Sequence, residues 1–383
     1  MSKQKIIIFV AALVLIVGSI VYLESRKAGT ARPSSVDENS TIVLGGVSGK
    51  EAQARIAEKS KKYELAKEIS TPDGFINTDS ITIAELIGKK IILVDFWTYS
   101  CINCQRTTPY LNAWYEKYAD KGLVILGVHT PEFDFEKDYD NVKRATAKFR
   151  IQYPVILDND YSTWNAYKNR YWPRKYLIDI DGFVVYDHIG EGGYQETEEK
   201  IVELLNERSE VLGEKEIVMD DTAPENVDAT DFSKVGTPET YLGYGRLQYI
   251  ANLPSRDCFD KDCVYITPEK INLNTFALSG IWNIHSEQVT ATAEDGAIII
   301  GFSANKVNLV AGGKEGKNVR AEILLDGKRI EESSRGAQVV DGFVTFNTYD
   351  LYNLVDLKGN YGEHVLIIKV LDPGLQAFAF TFG

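Results

Sequence analysis

Residues Ile91-Ile92-Leu93-Val94-Asp95-Phe96-Trp97 stand a short loop ahead of a cysteine pair, Cys101-Ile102-Asn103-Cys104. An unbroken aliphatic run fits a strand covered on both faces, and such strands belong to sheets with helices on either side. Residues 104–118 read as the helix that follows, with Pro109 expected to kink it. A second buried strand at 123–129 returns the chain to the sheet. Strand, loop, helix and parallel strand make a βαβ unit, which leaves few folds open to this part of the chain.

The elements that follow narrow the choice. Residues 139–150 read as helix, 154–158 as a short strand and 162–167 as a short helix. Residues 175–180 and 183–189 form a hairpin across Asp181-Gly182. Residues 196–208 close the unit as a helix with apolar Ile201, Val202, Leu204 and Leu205. The first domain is therefore an α/β unit over 60–212. Ahead of it, 51–68 reads as a lead-in helix and Thr71-Pro72-Asp73-Gly74 as a turn. Residues 213–235 are acidic and poor in large apolar side chains, and read as a linker. From 236 to 383 the period is two, with strands expected at 297–303, 306–311, 319–325, 338–340, 343–347, 364–370 and 377–382. Asp326-Gly327 and Asp341-Gly342 supply hairpin turns. This spacing predicts an all-β sandwich of jelly-roll type.

At the other end, 6–23 contains no charged residue. As a helix it would span about 27 Å, close to a hydrocarbon core about 30 Å thick. Lys3 and Lys5 precede it, as in a secretory signal, and Glu24, Ser25, Arg26 and Lys27 follow where a cleavage site would stand. Residues 1–30 are expected to be an uncleaved signal anchor, one transmembrane helix holding the body outside the cytoplasm at the cell membrane. Residues 31–59 are its tether and the lead-in helix. The formal net charge of −13 argues against a nucleic-acid partner, which needs clustered Lys and Arg.

The cysteines carry the chemistry. Four in 383 residues exclude a disulfide-stapled mini-domain. They form two close pairs, Cys101 with Cys104 and Cys258 with Cys263, which points to redox chemistry, a small looped disulfide or metal binding. At a strand-to-helix junction the helix N-terminus presents unpaired N–H groups and a positive dipole end, which favours a thiolate. Cys101 is the expected attacking sulfur. Cys104, one turn along, resolves the mixed disulfide and should be the more buried. Asp95, at the end of the apolar strand, is placed to accept and return the Cys104 proton. Trp97 and Tyr99 are expected to surround the dithiol. Outside the cytoplasm a local Cys258–Cys263 disulfide is the plain reading, with a relay to the first pair as the alternative. No cofactor and no metal site are expected.

Residues Val94 to Cys104 resemble the active-site segment of the thioredoxin superfamily. They are most similar to the TlpA-like branch and, within it, to the extracytoplasmic part of DipZ-type cytochrome c biogenesis proteins. The resemblance continues through Tyr171-Trp172-Pro173-Arg174-Lys175-Tyr176-Leu177-Ile178-Asp179, at Thr237-Pro238-Glu239-Thr240-Tyr241-Leu242-Gly243-Tyr244 and at Phe380-Thr381-Phe382-Gly383. It implies a thioredoxin-like fold followed by a sandwich related to carbohydrate-binding modules. It implies a nucleophilic Cys101, a resolving Cys104, a buried acid at Asp95 and a cis Pro173 opposite the dithiol, preceded by Trp172. The activity implied is thiol–disulfide exchange on protein substrates, more as a reductant than an oxidant. DipZ-type proteins often carry an electron-carrying membrane domain on the same chain; this one has a single anchor, so a separate membrane electron donor is implied.

Three other readings compete. A thiol peroxidase would retain Thr98 but would need a proline where Val94 stands. A zinc site would need both cysteine pairs to converge. An envelope carbohydrate-binding protein with a secondary redox domain would need Tyr241, Tyr244, Tyr249, Trp282, Tyr349, Tyr352 and Tyr361 on one exposed face to stack against a glycan.

Overall fold

The computed structural model describes residues 49–219, 224, 227 and 230–383. The expected anchor at 1–30 and most of the tether lie outside them. Among the described residues no helix is long and apolar enough to cross a membrane.

Helix α1 (Gly49–Lys59) stops well short of the 51–68 expected. Strand β1 (Glu64–Leu65) follows and pairs antiparallel with β7 (Phe183–Ile189). Helix propensity is a weak force, and the open sheet edge offers backbone partners that override it. Charge holds α1 in place: Arg55 reaches Asp181 and Lys59 reaches Asp179, each at 2.6 Å, and Lys59 also pairs with Glu207. The same contacts satisfy the acidic cluster Asp179, Asp181 and Glu207.

Strand β3 (Ile91–Trp97) is buried at every residue. It runs parallel to β4 (Leu123–His129) and antiparallel to β6 (Arg174–Ile178). Successive side chains leave a strand on opposite faces. Ile91, Leu93 and Trp97 join Leu111 and Trp114 of α3 (Ile102–Tyr118) and Ile201 and Leu205 of α6 (Tyr194–Leu212). Ile92, Val94 and Phe96 join Leu126, Trp164 and Tyr176 on the other face. Two covered faces explain why the run is aliphatic throughout. They also put Asp95, in step with Leu93 and Trp97, on the α3 side.

The strand order is β1-β7-β6-β3-β4-β5-β2, with β5 (Val155–Leu157) parallel to β4 and β2 (Gly74–Ile76) antiparallel at the edge. Helices α2 (Ile83–Leu86), α4 (Tyr139–Lys148) and α5 (Ser162–Ala166) fill the connections. This is a thioredoxin-like α/β order. Helix α3 begins two residues earlier than expected and runs on through Pro109; the Thr107 and Thr108 hydroxyls donate to the carbonyls of Asn103 and Cys104, both at 2.9 Å. The hairpin turn needs Gly182, whose φ is +89° and where a Cβ would lie 2.8 Å from Ile87.

The β-rich C-terminal part contains β8 (Thr240–Tyr241) through β19 (Leu375–Phe382). Strand β10 (Phe276–Ile284) belongs to both of its sheets. Residues 276–279 pair with β12 (Ala297–Ala304), which continues to β18 (Gly362–Val370) and β14 (Val319–Leu325). Residues 280–283 pair with β9 (Asp262–Tyr265), and 282–284 with β11 (Val289–Ala291), which leads to β19, β13 (Lys306–Gly313) and β17 (Asp350–Asp356). One hydrophobic cluster, with Ile298, Ile300, Ile323 and Ile368 from the first sheet and Trp282, Leu309 and Phe380 from the second, lies between them. Residues 338–340 are not a strand; Val340 makes only an isolated bridge to Phe343 and is 68% exposed. Val339 is buried in the core, but the pairing stops at that one bridge across Asp341-Gly342, so no ladder forms. Strands β10 and β17 lie outside the expected set.

The face of the second sheet turned away from this core is covered by the α/β part. Phe133, from the loop after β4, packs with Val310, Leu351, Phe378 and Ala379, and Ile102, Phe135, Tyr241 and Tyr349 border the cluster.

Candidate active site

Cys101 caps helix α3 in an extended conformation, and its Sγ accepts the N–H of Cys104 at 3.3 Å. The amide thus points at the sulfur where negative charge would form. Both thiols are free; Cys101 is half-buried and Cys104 is 2% exposed. The Cys101 thiol lies 3.9 Å from the carbonyl oxygen of Trp172, and the Trp172–Pro173 bond is cis. Trp172 is fixed from behind: its Nε1 donates to the Thr130 carbonyl at 3.0 Å, and its ring packs on Trp164.

Asp95 is buried beneath Cys104, and its Oδ1 has no hydrogen-bond partner among the described residues. Burial pushes its carboxyl up to about 7, against the pull of the Lys175 ammonium. Burial also pushes the Cys104 thiol up, with Cys101 and Asp95 adding to the effect. Burial therefore keeps Cys104 protonated and brings the Asp95 carboxyl close to neutral pH, where it can both take up and return a proton.

Lys175 was not singled out from sequence. It is fully buried and sits directly opposite Asp95 in the β3–β6 register. Burial lowers its pKa while Asp95 opposes the shift, and its Nζ donates to the Gly190 carbonyl at 3.2 Å. A legible signal existed: Lys175 interrupts an apolar strand on the same side as Leu177, which points into the α3-facing cluster. Two further residues brace the site. Glu136 is buried, accepts from the Ser100 hydroxyl at 2.6 Å and from the backbone N–H of Glu132 and Phe133, and so anchors the loop that delivers Cys101. Arg106 joins Asn103, between the cysteines, to Glu191 by hydrogen bonds of 2.8 to 2.9 Å. Trp97 and Tyr99 are buried and both contact the His129 ring, which burial keeps neutral by lowering its pKa to about 3.

Cys101 opens onto a cleft of about 430 Å³. One wall is α3 and the Tyr171–Trp172 loop; the other is Phe232 of the linker together with Glu239, Tyr241 and Arg246 of the C-terminal part.

The second cysteine pair is joined as a disulfide, Cys258–Cys263, which removes it from any four-cysteine zinc site. The nearby Asp260 carboxylate is engaged by Tyr244 and His285. The seven aromatics considered for glycan stacking do not share a face. Trp282 and Tyr352 are core residues, Tyr349 stacks on Phe135 between the two parts, Tyr244 stacks on Phe259, and Tyr249 is the only one of the seven that is exposed. Their hydrophobic area is spent on packing, so a stacking platform built from this set is not present.

Residues 63–187 match the AhpC/TSA family, and residues 237–383 match the family described as Thioredoxin like C-terminal domain. Protein DipZ of Mycobacterium bovis is 39% identical over 314 residues, 81% of this chain and 41% of that protein. The chain thus spans about two fifths of the length of DipZ. Thiol-disulfide oxidoreductase YkuV of Bacillus subtilis is 31% identical over 127 residues, 33% of this chain and 85% of that protein. Thiol-disulfide oxidoreductase ResA of Bacillus cereus is 29% identical over 162 residues, 41% of this chain and 88% of that protein. With a capped dithiol, a cis proline and this span of shared sequence, the chain belongs to the thioredoxin-like family of YkuV and DipZ.

Proposed function

We propose that this chain is a thiol–disulfide oxidoreductase, anchored to the membrane by residues 6–23, that reduces protein disulfides outside the cytoplasm. The observation that carries the reading is the Cys101 sulfur, half-exposed, receiving a helix amide and facing the cis-proline loop, with Cys104 buried behind it over Asp95. In the forward reaction the Cys101 thiolate bonds to one substrate sulfur, the substrate S–S bond breaks, and the other substrate sulfur leaves as a thiolate. Cys104 then gives its proton to Asp95 and bonds to Cys101, releasing the second substrate sulfur. Two electrons pass to the substrate and the enzyme is left oxidised. A membrane electron donor on another chain is the proposed source of the two electrons that restore the dithiol.

A thiol peroxidase reading draws on the AhpC/TSA match. The dithiol is the better account: Val94 is a buried residue of β3 where that chemistry needs a proline, and Cys104 already stands against Cys101.

The reduction potential of the Cys101–Cys104 pair, read by equilibration with a dithiol buffer, tests the direction. A value near about −270 mV supports a reductant, and one near about −120 mV would make the protein a disulfide donor instead. Cys104→Ser should accumulate mixed disulfides between Cys101 and envelope proteins on non-reducing gels; a variant that traps nothing would remove protein substrates from the reading.

A further inference from the structure

The C-terminal part stands over the dithiol as well as beside it. Tyr99, two residues before Cys101, donates from its hydroxyl to the Tyr349 carbonyl at 3.3 Å. Ile102, between the two cysteines, borders the cluster around Phe378. Glu132, from the loop after β4, accepts from Tyr241 at 2.8 Å and from Arg246 at 2.7 Å, and the Arg246 guanidinium lies 3.7 Å over the Tyr241 ring. The second wall is therefore fastened to the first on the Glu132 side and cannot swing away without breaking these contacts.

The space left between the walls is small. About 430 Å³ is the size of a small-ligand pocket, whereas a folded protein partner presents about 800 Å² of its surface. Two large aromatics keep exposed surface there: Tyr171, 49% exposed, on the proline loop, and Phe232, 53% exposed, from the linker on the other side, with the Arg106 guanidinium 5.5 Å from its ring centre. The cleft thus has a reactive sulfur on its floor, a backbone carbonyl beside it and an apolar ring on each side. That set fits one strand of polypeptide, with the backbone at Trp172 and side chains against the rings.

Building on the thiol–disulfide reading, we propose that the C-terminal part is the second wall of the substrate site and restricts the enzyme to cysteines carried on extended, unfolded segments. Cysteines on the surface of folded proteins cannot reach Cys101. In the exchange, the Cys101 sulfur bonds to the sulfur of the segment while the segment's old partner leaves as a thiolate. Cys104 then closes on Cys101, its proton passing to Asp95, and the segment is released reduced.

The test uses the reduced full chain in detergent micelles and one leaving group on two carriers. The first is a short unstructured peptide whose cysteine is disulfide-bonded to glutathione. The second is a stable folded protein carrying the same glutathione on an exposed surface cysteine. The peptide should react about a hundredfold faster, since the folded carrier must first open locally. Rate constants within about threefold of each other would overturn the proposal. In Phe232→Ala combined with Arg246→Ala the wall is lowered. The peptide should lose about tenfold in rate and the folded carrier should gain, so the preference collapses. A preference unchanged in that variant would assign the selectivity elsewhere and overturn the role of the C-terminal wall. If the wild type reduces neither carrier, the thiol–disulfide reading itself fails, an outcome distinct from equal reduction of both.

Discussion

In the proposed exchange, Lys175 and Asp95 set the proton chemistry of the site. Asp95 must be ionised to take the Cys104 proton, and its carboxyl titrates at about 7. The resolving step should therefore slow as pH falls through about 7. The Lys175 ammonium favours the ionised form, so Lys175→Met should move that limb upward by about one unit. The rate of mixed-disulfide resolution against pH measures it; an unmoved limb would detach Lys175 from the reaction. Stability runs the other way. A carboxyl whose pKa is raised in the fold stabilises the fold at low pH and loses that contribution as pH climbs from about 4, its unfolded value, to about 7. Replacing both partners, Asp95→Leu with Lys175→Met, removes the loss. It should raise unfolding free energy at pH 8 by roughly 1–4 kcal/mol in urea titrations. Lys175→Met alone leaves a buried acid without its partner and should not.

Among the elements, strand β10 decides how the C-terminal part folds. It leaves one sheet and enters the other at Gly280, where φ is +90° and a Cβ would lie 3.0 Å from the Gly296 Cα. Only glycine holds that corner without strain. Gly280→Val should cost about 3 kcal/mol or more, read from the denaturation midpoint. A cost under about 0.5 kcal/mol, typical of a surface change, would mean that the corner tolerates a side chain. Helix α3 depends less on its sequence propensity than on its caps and hydroxyls. Cys101 caps it, and Thr107 and Thr108 serve the carbonyls of the turn before Pro109.

At the scale of the molecule, the α/β and β-rich parts pack into one compact unit around Phe133 and Phe378. Phe378 is 4% exposed and its ring centre lies 4.7 Å from that of Phe135 and 5.2 Å from that of Phe133. Phe378→Ala should cost about 3–5 kcal/mol and split a single calorimetric transition into two, one for each part. A single unshifted transition would mean that the parts are coupled some other way. The same variant should slow exchange on extended peptides, because Ile102 loses its backing.

Much of this was legible in the chain itself. The aliphatic run of β3, the cysteine pair at its helix junction and the hairpin at Asp181-Gly182 are local patterns. Local patterns determine element type, so most of the α/β order followed from residues near one another in sequence. Cys101, Cys104 and Asp95 were named for the same reason and Pro173 through the family resemblance, and the structure brings all four together. Residues that act across the fold were out of reach. Lys175 meets Asp95 only through strand register, Glu136 meets Ser100 only through the loop after β4, and Arg246 meets Glu132 only where two parts of the chain close on each other. Strand β10 was missed because a glycine corner breaks its pattern, and 338–340 was expected as a strand because its alternation does bury Val339, though it finds no partner strand beyond the bridge at Val340. Sequence alone determined the cysteine pair at the helix start and the thioredoxin-like fold that carries it. The tertiary structure decided the ionisable partner beneath them and the wall above them, because burial and register exist only once distant segments have packed.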